Sequence, residues 1–310
     1  LGSYGLEPTG FLGVASRHGV DIAAPVEDPA HNEELRTLLE SGEFQDIIRL
    51  KSDAARELLR DYLVSIGFMG KRNIAVVDAN SEGNTQSLLE RAFRDHEDYP
   101  TVHGYYFNLL NLNTHDARSN AELPHAKGII TDWRTSPGSS QRALTLLGLL
   151  VELFSHPNHG LTVGYRRVAD KVKPIFSSTP QESQYEQTSQ GLHGMLSYAR
   201  DYGTYNRLHN YDSDALLQGV KRNICKWVAS PPKEDVEALK DLFVISDWPF
   251  EVKQSFIEQI EVKDIVTIRE MLRKLASSAW PEGTLTLAPV PGLKWLFYKT
   301  GRITKLEEIT

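Results

Sequence analysis

The sequence predicts an α/β protein: a parallel sheet at the front, followed by a mainly helical second half. Three observations carry this. An apolar run at 74–77 (Ile74, Ala75, Val76, Val77) leads into a small polar turn and then a helical pattern. Strand-like and helix-like stretches alternate over the first ~110 residues, the signature of βαβ units with right-handed crossovers. From residue 181 almost to the end, apolar residues recur at helical spacing.

The elements follow in chain order. Residues 10–16 (Gly10, Phe11, Leu12, Gly13, Val14, Ala15, Ser16) read as a short buried strand, with Arg17 and His18 at its carboxyl end. Residues 21–29, with two prolines, form a loop. Leu35, Leu38 and Leu39 mark a helix that Ser41 and Gly42 end. Residues 44–50 read as one short helix. Residues 52–66 read as an amphipathic helix with Ser52 as its cap and Leu58, Leu59, Tyr62, Leu63 and Ile66 in its stripe. Residues 74–77 are the buried strand on which the rest is organised, with Asp78 at its carboxyl end. Thr85 onward reads as a helix with Leu88, Leu89 and Ala92 facing inward. Residues 101–107 are an aromatic-rich strand, and 128–131 a further short one.

A helix is predicted from Ser139 or Ser140 to about Phe154, broken by Pro157. Residues 161–166 and 172–176 are expected to pair as a hairpin. Helices are then expected at about 181–201, 212–229, 233–243, 249–260 and 263–279, with Pro281, Glu282 and Gly283 terminating the last. A composition shift near 119–139 divides the chain into 1–118, an α/β domain, and 119–310, a mainly helical domain or cap with a small hairpin.

Composition excludes several function classes. The 310 residues are 40% hydrophobic and 24% charged, as in globular proteins. The net charge of −7 speaks against a general nucleic-acid surface. The one cysteine, Cys225, excludes an internal disulfide and a cysteine-rich zinc site, and fits a reducing, cytoplasmic setting. The most apolar stretch, 143–154, falls short of the ~20 residues that span a bilayer. The chain opens at Leu1 without a signal peptide, so a further upstream domain is expected.

The candidate chemistry lies after Val77. A strand, a tight turn and a helix form an anion site, because the amides of the first helical turn are free and the helix dipole favours negative charge. Asp78 can accept sugar hydroxyls; Ser81, Gly83, Asn84 and Thr85 can surround a phosphate. Glu82 opposes an anion there unless it points away. Arg17, at the end of a neighbouring strand, would grip the same phosphate in two-pronged fashion. Glu152, His156 and His159 stand at i, i+4 and i+7, but Pro157 prevents one continuous metal-binding face; Glu152 and His159 remain an acid-base pair in a hydrolase reading. The aromatic and basic stretch at 294–299 suits packing on the body or on a membrane surface. No nucleophile elbow, Walker loop, GxGxxG fingerprint or zinc spacing is present.

Four stretches carry a family likeness: Ala15-Ser16-Arg17; Ala75-Val76-Val77-Asp78 with Gly83-Asn84-Thr85-Gln86; Gly104-Tyr105-Tyr106-Phe107; and Glu152-Leu153-Phe154 with His159-Gly160 and Gly164-Tyr165. Through them the chain resembles the C-terminal region of bacterial haloacid-dehalogenase-like hydrolase family proteins encoded with surface-polysaccharide and glycosyltransferase genes. Ala79-Asn80 replaces that family's usual Gly-Trp, and its hydrolase aspartate motif is absent from this chain. A looser likeness is to the type I phosphoribosyltransferases, whose loop runs from an apolar strand through an acid and small residues to Gly-x-Thr. These likenesses imply a Rossmann-like or phosphoribosyltransferase-like sheet and a phosphorylated sugar or nucleotide as ligand. They also imply a glycosyl- or phosphoribosyl-type transferase in the cytoplasm or peripheral to the inner membrane. The only cofactor implied is magnesium, and Val77 stands where a second acid would help hold it. The rival expectation is a non-catalytic scaffold that docks a partner enzyme through the helical half.

Overall fold

The computed structural model describes residues 8–22, 24, 28, 31–110, 123, 125–135, 141–177, 185–209, 212–246, 252–260 and 268–289. The described residues begin with a 3-10 turn, Pro8–Phe11, that runs straight into helix α1 (Leu12–Arg17). The strand expected at 10–16 is therefore a helix. Phe11, Val14 and Ala15 sit at i, i+3 and i+4, and all three are buried with Leu38 and Phe44. So short an apolar run fits either period, and the helical packing partners decide it.

Helix α2 (Glu33–Glu40) is capped by Asn32, whose side chain accepts from the Leu35 amide at 2.7 Å. Helix α3 (Gly42–Ser65) runs unbroken for 24 residues where two helices were expected. Ser41, not Ser52, is its cap, accepting from the Phe44 amide at 3.3 Å.

Strands β1 (Asn73–Ser81), β2 (Thr101–Leu109) and β3 (Ala126–Asp132) form a three-stranded parallel sheet in the order β1-β2-β3. Helix α4 (Asn84–Phe93) makes the crossover from β1 to β2. The register sets Asp78 beside Tyr106 and Asn80 beside Asn108, and a bulge after Tyr106 brings Asn108 level with Thr131. The parallel sheet agrees with the strands expected at 74–77, 101–107 and 128–131, but 74–77 is not buried: Ile74 and Val76 are half-buried, and Ala75 and Val77 are exposed. β3 carries the sheet past residue 118.

Helix α5 (Gln141–Ser155) packs on the sheet. The hairpin β4 (Thr162–Val168) and β5 (Lys171–Phe176) forms as expected, antiparallel and laid on α3. Gly160 closes its base: a Cβ there would stand 1.6 Å from the Ser177 carbonyl oxygen, so no side chain fits. Helices α6 (Tyr185–His209) and α7 (Ser213–Ala229) both pack against α5, and α8 (Lys233–Leu239) follows. β7 (Val252–Ser255) stands where helix was expected at 249–260, and it pairs antiparallel with β6 (Phe243–Ser246), which follows the helix expected at 233–243. The β-branched Val244 and Ile245 favour the strand. Helix α9 (Ile268–Ser277) precedes α10 (Pro281–Leu287). Pro281 opens α10 rather than closing α9, as suits a residue with fixed φ and no N–H to lose.

The main core joins Ile130 of β3, Leu146, Leu150 and Leu153 of α5, Val228 of α7 and Trp280. Trp280 is fully buried, donates Nε1–H to the Val228 carbonyl at 3.0 Å and meets the Trp227 ring at 4.6 Å. Among the described residues no helix is long and apolar enough to cross a membrane.

Candidate functional site

The carboxyl end of the parallel sheet is polar. Asn108, Thr131 and Asp132 are buried there, with Glu82 just past β1, while Gln86 and Ser87 are buried on α4. The Thr131 hydroxyl donates to Asn108 Oδ1 at 3.0 Å. Asp132 is gripped by Arg134 at 2.6 and 2.8 Å and accepts from the Gly128 and Arg134 amides. Burial alone would raise the Asp132 carboxyl. The Arg134 hydrogen bonds, the two amides and the guanidinium charge outweigh it and hold the group below its ordinary range. Burial, and then the charge of Asp78, push the Tyr106 phenol far above its usual value.

Gly83, Asn84 and Thr85 stand at the junction of β1 and α4, whereas Asp78, expected at the carboxyl end of the strand, lies inside β1 beside Tyr106, three residues before the strand ends at Ser81. Asp78 is half-buried, and the side chain of Ser81 lies outside the described residues. Gly83 takes φ +82°, and a Cβ on it would meet Leu123 Cδ1 at 2.6 Å and the Tyr106 hydroxyl at 3.6 Å. The glycine side of the turn is thus packed under Leu123 and Tyr106. Thr85, by contrast, is exposed on the other side of α4. Arg17 ends helix α1 rather than a strand and is ion-paired with Glu43 at the start of α3.

Glu152 is exposed near the end of α5, whereas His159 has a structural setting: its ring stacks on Phe176 at 4.0 Å and its Nδ1 lies 2.9 Å from the Gly160 carbonyl. Among the described residues no group of three or more His, Cys, Asp or Glu is placed to hold a metal ion. Val77, where a second acid would support magnesium, is 81% exposed on the opposite side of β1 from Asp78. Among the described residues, Val77 thus supplies no second acid beside Asp78.

A second concavity opens on the outer side of α4. A cleft of about 890 Å³ lies between α3 (Ser52, Ala55, Arg56, Leu59, Leu63), α4 (Thr85, Leu88, Leu89, Arg91, Ala92) and β4 (Thr162, Val163, Gly164, Tyr165). That volume suits a drug-sized or cofactor-sized ligand. Thr85, Leu88 and Arg91 fall at i, i+3 and i+6, with Leu89 and Ala92 on the same face, so one side of α4 faces the cleft. The floor is leucine and alanine, and among the described residues the charged lining is Arg56 and Arg91. Arg56 meets Asp53 at 3.3 Å in an exposed i, i+3 pair, a weak tie that an incoming anion can replace. Burial, and then Tyr62, raise the Tyr165 phenol, which stays neutral as part of the wall.

Of the residues marked in the sequence only Thr85 belongs to this cleft. Arg56 and Arg91 were missed because α3, α4 and β4 come together only through the fold. The Thr-x-x-Leu-x-x-Arg spacing of α4 was the one local signal.

No protein-family model matches this chain, and no curated protein matches it.

Proposed function

We propose that the protein binds a phosphorylated ligand of the nucleotide or sugar-phosphate kind in the cleft between α3, α4 and β4. The phosphate lies against Arg56 and Arg91 with the Thr85 hydroxyl beside it, and the base or sugar covers the leucine floor. The observation that carries this reading is the lining: among the described residues it holds two arginines, four hydroxyl side chains (Ser52, Thr85, Thr162 and Tyr165) and an apolar floor, with no carboxylate. Guanidinium groups pair with phosphate through parallel N–H donors, and an apolar floor is worth more to a base than to a bare sugar phosphate. The βαβ unit of β1, α4 and β2 supports the finer assignment to a Rossmann-like or phosphoribosyltransferase-like domain. The motif likenesses support a place in a surface-polysaccharide protein of the haloacid-dehalogenase-like kind, working as a transferase.

The test is melting of the protein with UDP, ADP, glucose 1-phosphate and inorganic phosphate in turn. A nucleotide is expected to raise the melting temperature most, and Arg91→Ala or Thr85→Val to reduce the shift. Loss of the shift in Asp78→Ala with full retention in Arg91→Ala would move the ligand to the β1–α4 turn. No shift with any of the four ends the binding reading. Incubation with nucleotide sugars, followed for donor turnover, separates a transferase from a binder.

The scaffold reading has an observation of its own. Helix α6 exposes Leu196, Tyr198, Tyr205 and Leu208 by 53 to 73%. Apolar side chains clustered on one exposed helix mark partner surfaces. Light scattering of the protein and of a Tyr205→Glu, Leu208→Glu variant tests self-association through this helix.

A further inference from the structure

The β4–β5 hairpin has two unlike faces. On one, Tyr165 stacks on Tyr62 of α3 at 4.9 Å, Arg167 pairs with Asp61 of α3, and Val172 is buried. Strand alternation puts Arg166, Val168, Lys171, Lys173 and Ile175 on the other face, and all five are exposed. The register sets Arg166 directly opposite Lys173 and Val168 opposite Lys171. Like charges facing each other across an antiparallel pair are destabilising. Among the described residues Arg166, Lys171 and Lys173 make no ion pair, and the hairpin's one acid, Asp170, lies in its turn. A chain of net charge −7 thus concentrates unpaired cations on a single small sheet face. Two exposed aliphatic side chains, Val168 and Ile175, stand among them.

We propose that this outward face docks on an anionic lipid bilayer. The three cations meet headgroup phosphates, and Val168 and Ile175 enter the interfacial layer. Negatively charged leaflets attract basic segments of this kind within a Debye length. A nucleic acid is the poorer fit, because no aromatic ring stands on this face to stack a base. The proposal does not depend on the cleft's ligand. Because β4 also walls the cleft, docking would set the cleft beside the membrane surface.

The test is co-sedimentation with vesicles of phosphatidylcholine alone and of phosphatidylcholine mixed with phosphatidylglycerol. The protein is expected to pellet with the anionic vesicles only, and less at high salt. Arg166→Gln and Lys173→Gln should each weaken binding roughly fivefold, and the pair more than tenfold. Val168→Ser with Ile175→Ser should weaken binding while leaving its salt dependence. Both faces of the change are checked by unchanged melting curves, since these side chains are exposed. Absence of binding to anionic vesicles overturns the proposal, as does equal binding by the Arg166→Gln, Lys173→Gln variant. Binding of a single-stranded oligonucleotide without vesicle binding overturns it in favour of a nucleic-acid surface.

Discussion

The Tyr106 hydroxyl donates to Gln86 Oε1 at 2.9 Å, and Gln86 Nε2 in turn donates to the Val102 carbonyl at 2.9 Å. Both side chains are essentially inaccessible, at 0% and 1% exposure. The pair locks α4 onto β2. Gly104 makes room for it, since a Cβ there would stand 2.1 Å from Gln86 Oε1. Gln86→Leu would leave a buried phenol and a buried carbonyl without this partner and is expected to cost about 1–3 kcal/mol. Tyr106→Phe should cost a similar amount, and the double variant less than the sum, because the second change removes a group already orphaned. Urea unfolding of the three variants checks this. Gly104→Ala should be worse than either, through overpacking.

Trp280 anchors the second half of the chain. Trp280→Ala is expected to destabilise by about 3–5 kcal/mol, through lost burial and the cavity left behind. Trp280→Phe keeps part of the volume but leaves the Val228 carbonyl without its donor, so an intermediate loss is expected. Chemical denaturation followed by far-UV circular dichroism measures both.

Asp132 gives the fold an acid-sensitive component. Its carboxyl is held below the ordinary range in the folded protein. The stability it adds is therefore complete above the unfolded carboxylate pKa and is lost as pH falls through the depressed folded value. In Asp132→Asn the fall of stability on acidification should be shallower than in the parent, with lower stability at neutral pH. Melting temperatures between neutral and acidic pH decide it.

Three phenols, Tyr99, Tyr106 and Tyr165, should ionise late. Tyr99 is pushed up to about 12 by burial and then by the charge of Glu90, and Tyr106 is raised further still. Unfolded tyrosines ionise near 10, so raising the pH beyond that point draws the chain toward the unfolded state. Alkaline absorbance titration should show a delayed fraction, reduced in Tyr99→Phe. A titration in which every tyrosine ionises together would contradict the burial of these rings.

The sheet was legible because its signals are local and redundant. Val76 and Val77 lead into Asp78, a glycine turn and a leucine-bearing helix, and Thr101 to Phe107 is aromatic and β-branched. Residues 161–176 alternate cleanly enough to show the hairpin. Failures came where a short run carries two periods at once. Phe11, Val14 and Ala15 satisfy a helix as well as a strand, and only Leu38 and Phe44 settle the matter. Ser52 resembles a cap, but the backbone of α3 was already helical before it. Phe243 to Ile245 is too short to announce a strand without its partner β7. For the site, Thr85 was visible because it follows a turn glycine. Arg56 and Arg91 acquire meaning only when two helices and a hairpin share a cleft.

Ile130 and Trp280 lie in one core although most of the second half of the chain runs between them. A nascent chain emerging from the ribosome therefore leaves uncovered the part of this core that meets Trp280 until that residue has been made. That interval is when chaperones would find this protein, and when a premature stop before Trp280 would leave a product prone to aggregate.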